Sequence, residues 1–412
     1  MSERSEELRP RIRHVEALPM VSSGEYVVCL RDPEGLVGKM LLISPEAAWA
    51  ISLFDGRHTL SQISARFAAR FGYAVSVSEL ADLVAELDEL YLLWNERYLE
   101  RRARVVSDFI ASSFRQPFHA GLSYPADPAA LDQLLDECAA AHVDAVGGLE
   151  GPLLGLVAPH IDYPRGKAAY GALLRVLEAT PAAETFVILG TAHYATVDTP
   201  YVITRKSFRT PLGTIECDTA FVDELASALS WDPFQGEEAH RTEHSIELHA
   251  VLLGRARAGG SPPRMVPVLC NAFLSHVRAS RRPETDGRVE EFVAVLRRLL
   301  ATRGERAVVV ASGDLAHVGL KFGDPHEADQ ERCGWVRERD LATLEAVEAV
   351  DAGSFYDLIV GENDARRICG LSPIYTLLAA TPAARGRTLH YAQALEPDTG
   401  SMVSFAAVAL HG

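Results

Sequence analysis

Residues 185–193 read TFVILGTAH. Phe186 to Leu189 are apolar without a break, Gly190 is small, and a histidine closes the stretch. A short continuous apolar run that ends in small or polar residues fits a strand buried on both faces. Three further stretches follow the pattern: LLGLVAPH at 153–160, RMVPVLCNA at 264–272 and AVVVASGDLAH at 307–317. Helical segments alternate with them from about residue 118. The alternation predicts an α/β domain whose sheet is covered by helices on both faces. No internal repeat competes with this reading.

Histidines fall where such a fold binds ligands. His160, His193 and His317 each follow a separate predicted strand, and open α/β sheets bind ligands outside the carboxyl ends of their strands. A single histidine there more often makes a structural hydrogen bond. Three, on three strands, point to one pocket. The stretch EHSIELH, 243–249, adds a carboxylate and a further imidazole. In a helix, Glu243 and Glu247 stand at i, i+4, and His244 lies one turn from Glu247. His244 would then be a general base with Glu247 beside it. The competing reading is an exposed helix start, where acidic residues favour the helix dipole without chemistry. The residues alone leave both open.

The first hundred residues read differently. Residues 1–18 are charged and expected to fray. From Gly24 to Ile43, EYVVCL and GKMLLI flank a turn-forming DPEG and predict a β-hairpin. Ser44-Pro45 starts a helix that runs to Phe54. Thr59 caps a second, ending at Gly72, and Ser76 or Ser78 opens a third, whose apolar stripe is Leu80, Leu83, Val84 and Leu87. A helical segment near 96–112 leads on. The predicted division is 1–105, a small winged-helix-like α+β module with its linker helix, and 106–412, the α/β domain. A winged helix suggests DNA binding, but residues 1–104 hold 13 Lys and Arg against 16 Asp and Glu. That balance does not suit a phosphate backbone.

The whole chain of 412 residues carries a net charge of −16, with 48% apolar and 23% charged residues. These values suit a soluble protein with sizeable cores and argue against general nucleic-acid or anionic-membrane binding. Cys29, Cys138, Cys217, Cys270, Cys333 and Cys369 form no CxxC pair, so reduced thiols are expected. Without a signal-like apolar stretch or an 18-residue apolar run, the expectation is a cytoplasmic protein. GxGxxG, P-loop and GxSxG patterns are missing, which weakens nucleotide-binding and serine-hydrolase readings.

The motifs APHIDY, ILGTAHYA, RTPLGTIECD, EHSIELH, VPVLCNA, SGDLAH, ICGLSPIYTLL and HYAQ, in this order, resemble the Memo family, whose bacterial members include protein B of the AmmeMemoRadiSam system. FHAGLSYPADP at 118–128 is similar to that family's opening segment. The resemblance covers about residues 115–411. It implies a fold similar to class III extradiol dioxygenases, which hold non-haem iron by two histidines and a carboxylate. It implies that His160 and His193 bind metal, that His244 is the pocket base, and that Asp314 and His317 belong to a further site stretch. Some members place a metal-binding cysteine where this chain has Ala316. Asp162 stands where glycine is common and could serve as a ligand or orienter. The resemblance also places Cys369 in a cysteine–glycine turn before a helix, where a thiol can have a depressed pKa. Gly370 would supply the tight turn. Residues 20–100, DGRHTLSQI above all, resemble the PqqD-like family of peptide-recognition modules, which accompany radical-SAM enzymes.

The expectation is therefore a metal site of His160, His193 and His317 for a divalent transition metal, Fe(II) first. His244, Glu247 and Asp314 would be the catalytic residues of a redox enzyme acting with a radical-SAM or peptide-modification partner on an unidentified small molecule. Two other readings remain: an inactive peptide- or protein-binding module, and a ligand-sensing regulator. His240 and His249 are expected in supporting roles, and Tyr391 and Gln393 in the pocket lining or the sheet. His160, His193 and His244 should lie within about 10 Å of one another if they share a pocket.

Overall fold

The computed structural model describes residues 7–412 apart from 23, 38–39, 143–150, 181, 195–196, 257–262 and 384. The first six residues of the expected frayed terminus therefore lie outside the described residues. The chain divides into two compact units, Met1–Ala111 and Ser112–Gly412. The helix Glu96–Ala111 belongs wholly to the first, so the division falls six residues after the expected one.

In the first unit β1 (Glu16–Ser22) pairs antiparallel with β2 (Glu25–Arg31), which pairs antiparallel with β3 (Leu41–Ile43). The β2–β3 hairpin follows from the sequence. β1 does not, because it lies partly in the charged terminus and carries Pro19. As an edge strand it tolerates a residue without an N–H. The helices begin where hydroxyl caps begin them. Ser44 accepts from Ala47 N–H, and Thr59 and Ser76 form capping boxes with Gln62 and Glu79. Left-handed Gly72 stops the helix Leu60–Phe71, where a side chain would be strained. Phe54, Leu60, Ile63, Leu80 and Leu87 are buried together at the centre of this unit.

The second unit opens with β4 (Phe114–Arg115) and the helix Pro128–Ala141. β5 (Leu153–Ala158), β6 (Thr185–Thr191), β7 (Tyr201–Ile203), β8 (Ser207–Thr210), β9 (Gly213–Ile215), β10 (Arg264–Cys270), β11 (Ala307–Ser312), β12 (His317–Gly319), β13 (Arg385–Glu396) and β14 (Ser401–His411) follow. Eight of these form one mixed sheet in the order β12-β14-β5-β11-β6-β10-β7, with β13 also on β14. Its centre is parallel: β5, β11, β6 and β10 are the four strands legible in the sequence. Antiparallel β14 and β7 flank them. β4, β8 and β9 make a separate small sheet.

Side chains of the central strands alternate between two cores, as period-two geometry requires. Val187, Leu189, Val309, Ala311, Val266 and Val268 pack on one face with the helices Gly287–Arg303 and Leu371–Ala380. Phe186, Ile188, Val308, Val310 and Met265 pack on the other with Tyr163–Glu178 and His244–Ala256. Each fully buried Val, Leu, Ile or Phe contributes about 1.5–3 kcal/mol. This two-sided burial explains why the strands read as unbroken apolar runs. Among the described residues, no helix is long and apolar enough to cross a membrane.

Candidate metal centre

β11 lies between β5 and β6, with Ser312 level with Ala158 on one side and Gly190 on the other. The three strands therefore end side by side. Two residues past β5 stands His160, and two past β6 stands His193. The helix His244–Ala256 packs close over β6: a Cβ on Gly190 would sit 2.6 Å from Ser245 Oγ. This brings the helix's first residue to the same place. The ring centroids of His160, His193 and His244 are 4.7–5.0 Å apart. One nitrogen from each lies within 4.8 Å of the others.

Glu243 orients two of these rings. Its Oε1 is 2.9 Å from His193 Nδ1 and 3.1 Å from His244 Nδ1. A carboxylate only accepts, so both Nδ1 atoms carry the proton and each Nε2 is the unprotonated nitrogen. Glu243 also accepts from the backbone N–H groups of His193, His244 and Ser245. Burial would raise its carboxyl, yet the two histidines hold it well below the usual carboxylate range. Its place before the first helical turn also favours the charged form.

His160 is almost fully enclosed. Burial, then His244 and His193, push its pKa far below that of a free imidazole. A neutral imidazole is the form that binds metal. Asp314, past the end of β11, accepts from the backbone N–H groups of His160 and Ile161 through Oδ1. Its Oδ2 lies 3.9 Å from His160 Nε2. Burial raises the Asp314 carboxyl to about 7, against those two N–H groups. Cys369 Sγ is 3.1 Å from the same Nε2. Its thiol is pushed well above its ordinary value by burial and then by Asp314. Burial thus outweighs the lowering that a helix start can give a thiol, in keeping with a cysteine that packs in the interior.

Other expected site residues stand elsewhere. His317 begins β12, with Nδ1 3.3 and 3.2 Å from the carbonyls of Leu315 and Arg367, and it does not join the clustered nitrogens. The chain turns after Ser312 and carries it onto β14. Glu247 points away from the cluster into a buried ion pair with Arg115, and accepts from His119 N–H and Tyr124 Oη. With both oxygens engaged, it holds the helix to β4. Asp162 caps the helix Tyr163–Glu178 and pairs with Arg165. His240 bonds Val202 O, His249 is buried, Tyr391 bonds Asp340 and Gln393 bonds Cys333 O. Ala316 packs with Val318, Val336 and Met402. Sequence reasoning passed over His119, whose ring is 5.6 Å from that of His244 and whose Nε2 bonds Thr242 O. It also passed over Glu243 as the anchor of two rings. An acidic residue directly before a histidine was the available signal.

A cleft of about 520 Å³ adjoins the cluster, with His193, Thr191 and Cys369 on one side. Phe273, Leu274, Val277 and Ile368 give it an apolar wall, and Arg278, Asn363 and Arg367 give it polar points. This composition, apolar with a few polar groups, is that of small-molecule sites.

Comparison with known proteins agrees with the motif order. The family profile described as Memo-like protein matches residues 115–409. A MEMO1 family protein of Aquifex aeolicus is 26% identical over 98% of this chain and its own full length. One from Thermus thermophilus is 29% identical over 85% of this chain and 98% of its own. One from Methanosarcina acetivorans is 29% identical over 71% of this chain and 98% of its own. With nearly the whole second unit inside the matched region, the chain belongs to the Memo-like protein family.

Proposed function

We propose that this is a metal-dependent enzyme in which His160, His193 and His244 hold a divalent transition metal, Fe(II) first. The observation that carries this reading is the convergence of three imidazole nitrogens within 4.8 Å, two of them with Nδ1 tied to one buried carboxylate. Imidazole donors suit Fe, Zn, Cu and Ni. Such a metal supplies a Lewis acid or, as iron, a redox centre with open positions.

This reading gives the chain's own residues distinct tasks. Glu243 keeps the His193 and His244 rings in one tautomer and orientation. Asp314 fixes the backbone at His160. The apolar wall of the cleft takes the body of a small-molecule substrate, excludes water, and directs it toward His193. Relative to the sequence expectation, His244 moves from base to donor, and His317 and Glu247 move out of the reacting group. The likeness to extradiol dioxygenases and a tie to an AmmeMemoRadiSam-type system are part of the proposal and rest on motif resemblance.

Metal content of anaerobically purified protein tests the reading, with His160→Ala and His193→Ala alongside. Near-stoichiometric transition metal in the wild type, lost in both variants, is expected. No metal above background after reconstitution would overturn it and favour a binding role.

A partner-recognition role for the first unit has its own observation. Tyr26, Met40 and Leu42 on or beside the small sheet are 75%, 64% and 50% exposed. A PqqD-like peptide or radical-SAM partner would cover them. Slower amide exchange of β2 and β3 on adding a candidate peptide is the expected result, and unchanged exchange counts against it.

A further inference from the structure

We infer that the cleft beside the centre takes a carboxylic acid with an apolar body, and that Arg278 and Ser372 recognise it. The inference rests on the reading of this chain as an enzyme of small molecules and names the class of its substrate.

The argument begins with the polar side chains that line the cleft outside the histidine cluster, sorted by what each already binds. Arg367 is engaged, since its guanidinium donates to Asp324 and to His317 O. Asp364 is engaged through Oδ1, which accepts from Ile368 N–H. Thr191 donates to the carbonyls of Ser312 and Cys369. Asn363 can both donate and accept, so it does not discriminate. Arg278 and Ser372 are left. Arg278 is exposed, and among the described residues it has no hydrogen-bond or ion-pair partner. Ser372 is 1% exposed, and its Oγ has no hydrogen-bond partner. A hydroxyl held away from water without a partner is costly, and a ligand oxygen would relieve it.

Ser372 also stands in the first turn of the helix Leu371–Ala380, which no side chain caps. The first N–H groups of a helix lack intrahelical partners and carry partial positive charge. The unanswered groups of the cleft are therefore donors, and their charge is positive. The complementary ligand presents acceptor oxygens and negative charge. A single guanidinium without a counterion suits a single negative charge, and its planar fork matches a carboxylate. A phosphate ester, with nearly two charges, is less well matched in a chain of net charge −16.

The apolar body follows from the same element. Phe273, Leu274 and Val277 directly precede or share the short helix that ends at Arg278, with Leu274 one turn before it. Wall and guanidinium thus lie side by side, as the body and head of such an acid do. The facing rim is firm. Asn363, Asp364 and Arg367 have left-handed backbone, with φ of 54°, 51° and 52°. Such strain in residues other than glycine persists only where the surroundings hold it. The buried Arg366 side chain does so, bound to Asp340, Glu362 and Thr343. A wall that is already ordered loses little freedom on binding.

Ligand-observed NMR titration of the full chain with phenylacetate is the test. Phenylacetamide and phenyl phosphate are run beside it, with and without Co(II). Phenylacetate should bind saturably in both states, about tenfold more tightly than phenylacetamide. Arg278→Gln, a change at an exposed position, should abolish that preference, and Ser372→Ala should weaken binding about threefold. No saturable binding, equal binding of acid and amide, tighter binding of the phosphate, or a preference that survives in R278Q would overturn the inference. Acid binding that needs Co(II) and ignores R278Q would assign the carboxylate to the ion and overturn it too. Wild-type affinity in S372A would overturn the role given to Ser372. The metal reading is judged apart. Acid binding as expected in a protein that takes up no metal would overturn that reading and leave the carboxylate site, and metal binding without acid binding would do the reverse.

Discussion

Glu243 shows how one buried carboxylate organises a site it does not itself occupy. It binds the Nδ1 atoms of two histidines and three backbone N–H groups. Its removal should therefore leave the donors present but loose. Glu243→Ala is expected to weaken Co(II) or Zn(II) binding roughly 10- to 100-fold, the usual effect of losing a residue that orients ligands. Competition titration measures it, and unchanged affinity would remove Glu243 from the site. At this scale the sequence was legible in part. His160 and His193 could be found because each closes an apolar strand. Glu243 and Glu247 could not be told apart, because the choice depends on where the helix starts. It starts at His244. Glu243 therefore precedes the first turn and bends toward the rings, while Glu247 faces Arg115. His317 was placed with the others on the assumption that five residues past a strand stay at its end, but the chain reverses into β12.

Two elements support these residues: the end of β11 with its neighbouring turn, and the helix His244–Ala256. At the first, Gly313→Ala would press a methyl into Gly370 backbone, which cannot rotate away. A loss of about 1–3 kcal/mol is expected from such overpacking, together with a displaced Cys369. Urea unfolding of G313A measures the loss. The helix carries a different liability. His249 is buried, its Nε2 has no hydrogen-bond partner, and burial lowers its pKa from 6.5 to about 3. Between those values the unfolded chain holds a proton that the folded chain refuses. The folded state thus has its full stability above pH 6.5 and loses it as pH falls toward 3. At pH 5 the penalty is about 2 kcal/mol. His249→Leu should reduce the stability difference between pH 7 and pH 5 by about that much, and denaturant midpoints at the two values check it. The elements themselves were the most legible level. Ser44, Thr59, Ser76 and Gly72 marked helix ends by hydrogen bonds local in sequence. β12, β14 and β7 were not foreseen, because antiparallel additions to a sheet depend on distant partners rather than on their own pattern.

Across the whole molecule, every residue assigned to the centre belongs to Ser112–Gly412. That unit has its own two-sided core, and nearly all of the Methanosarcina relative aligns with 71% of this chain. A fragment of residues 112–412 should fold and bind Co(II) with an affinity within about threefold of the full chain, since every donor proposed for the centre lies within those residues. Circular dichroism and titration would show it. An unfolded fragment would mean that the first unit completes the second.

The contact between Cys369 and His160 closes 209 residues of chain. Loops of that length form late, because their entropy is lost before any contact rewards it. A metal at this centre would thus meet the assembled pair only late in folding, and would not serve as a folding nucleus. It would arrive after the sheet is complete and act as a latch, slowing the way out rather than speeding the way in. At a free concentration 100 times its Kd it would add about 2.7 kcal/mol to native stability, and starvation for that metal would show as faster turnover of a protein that still folds at its normal rate.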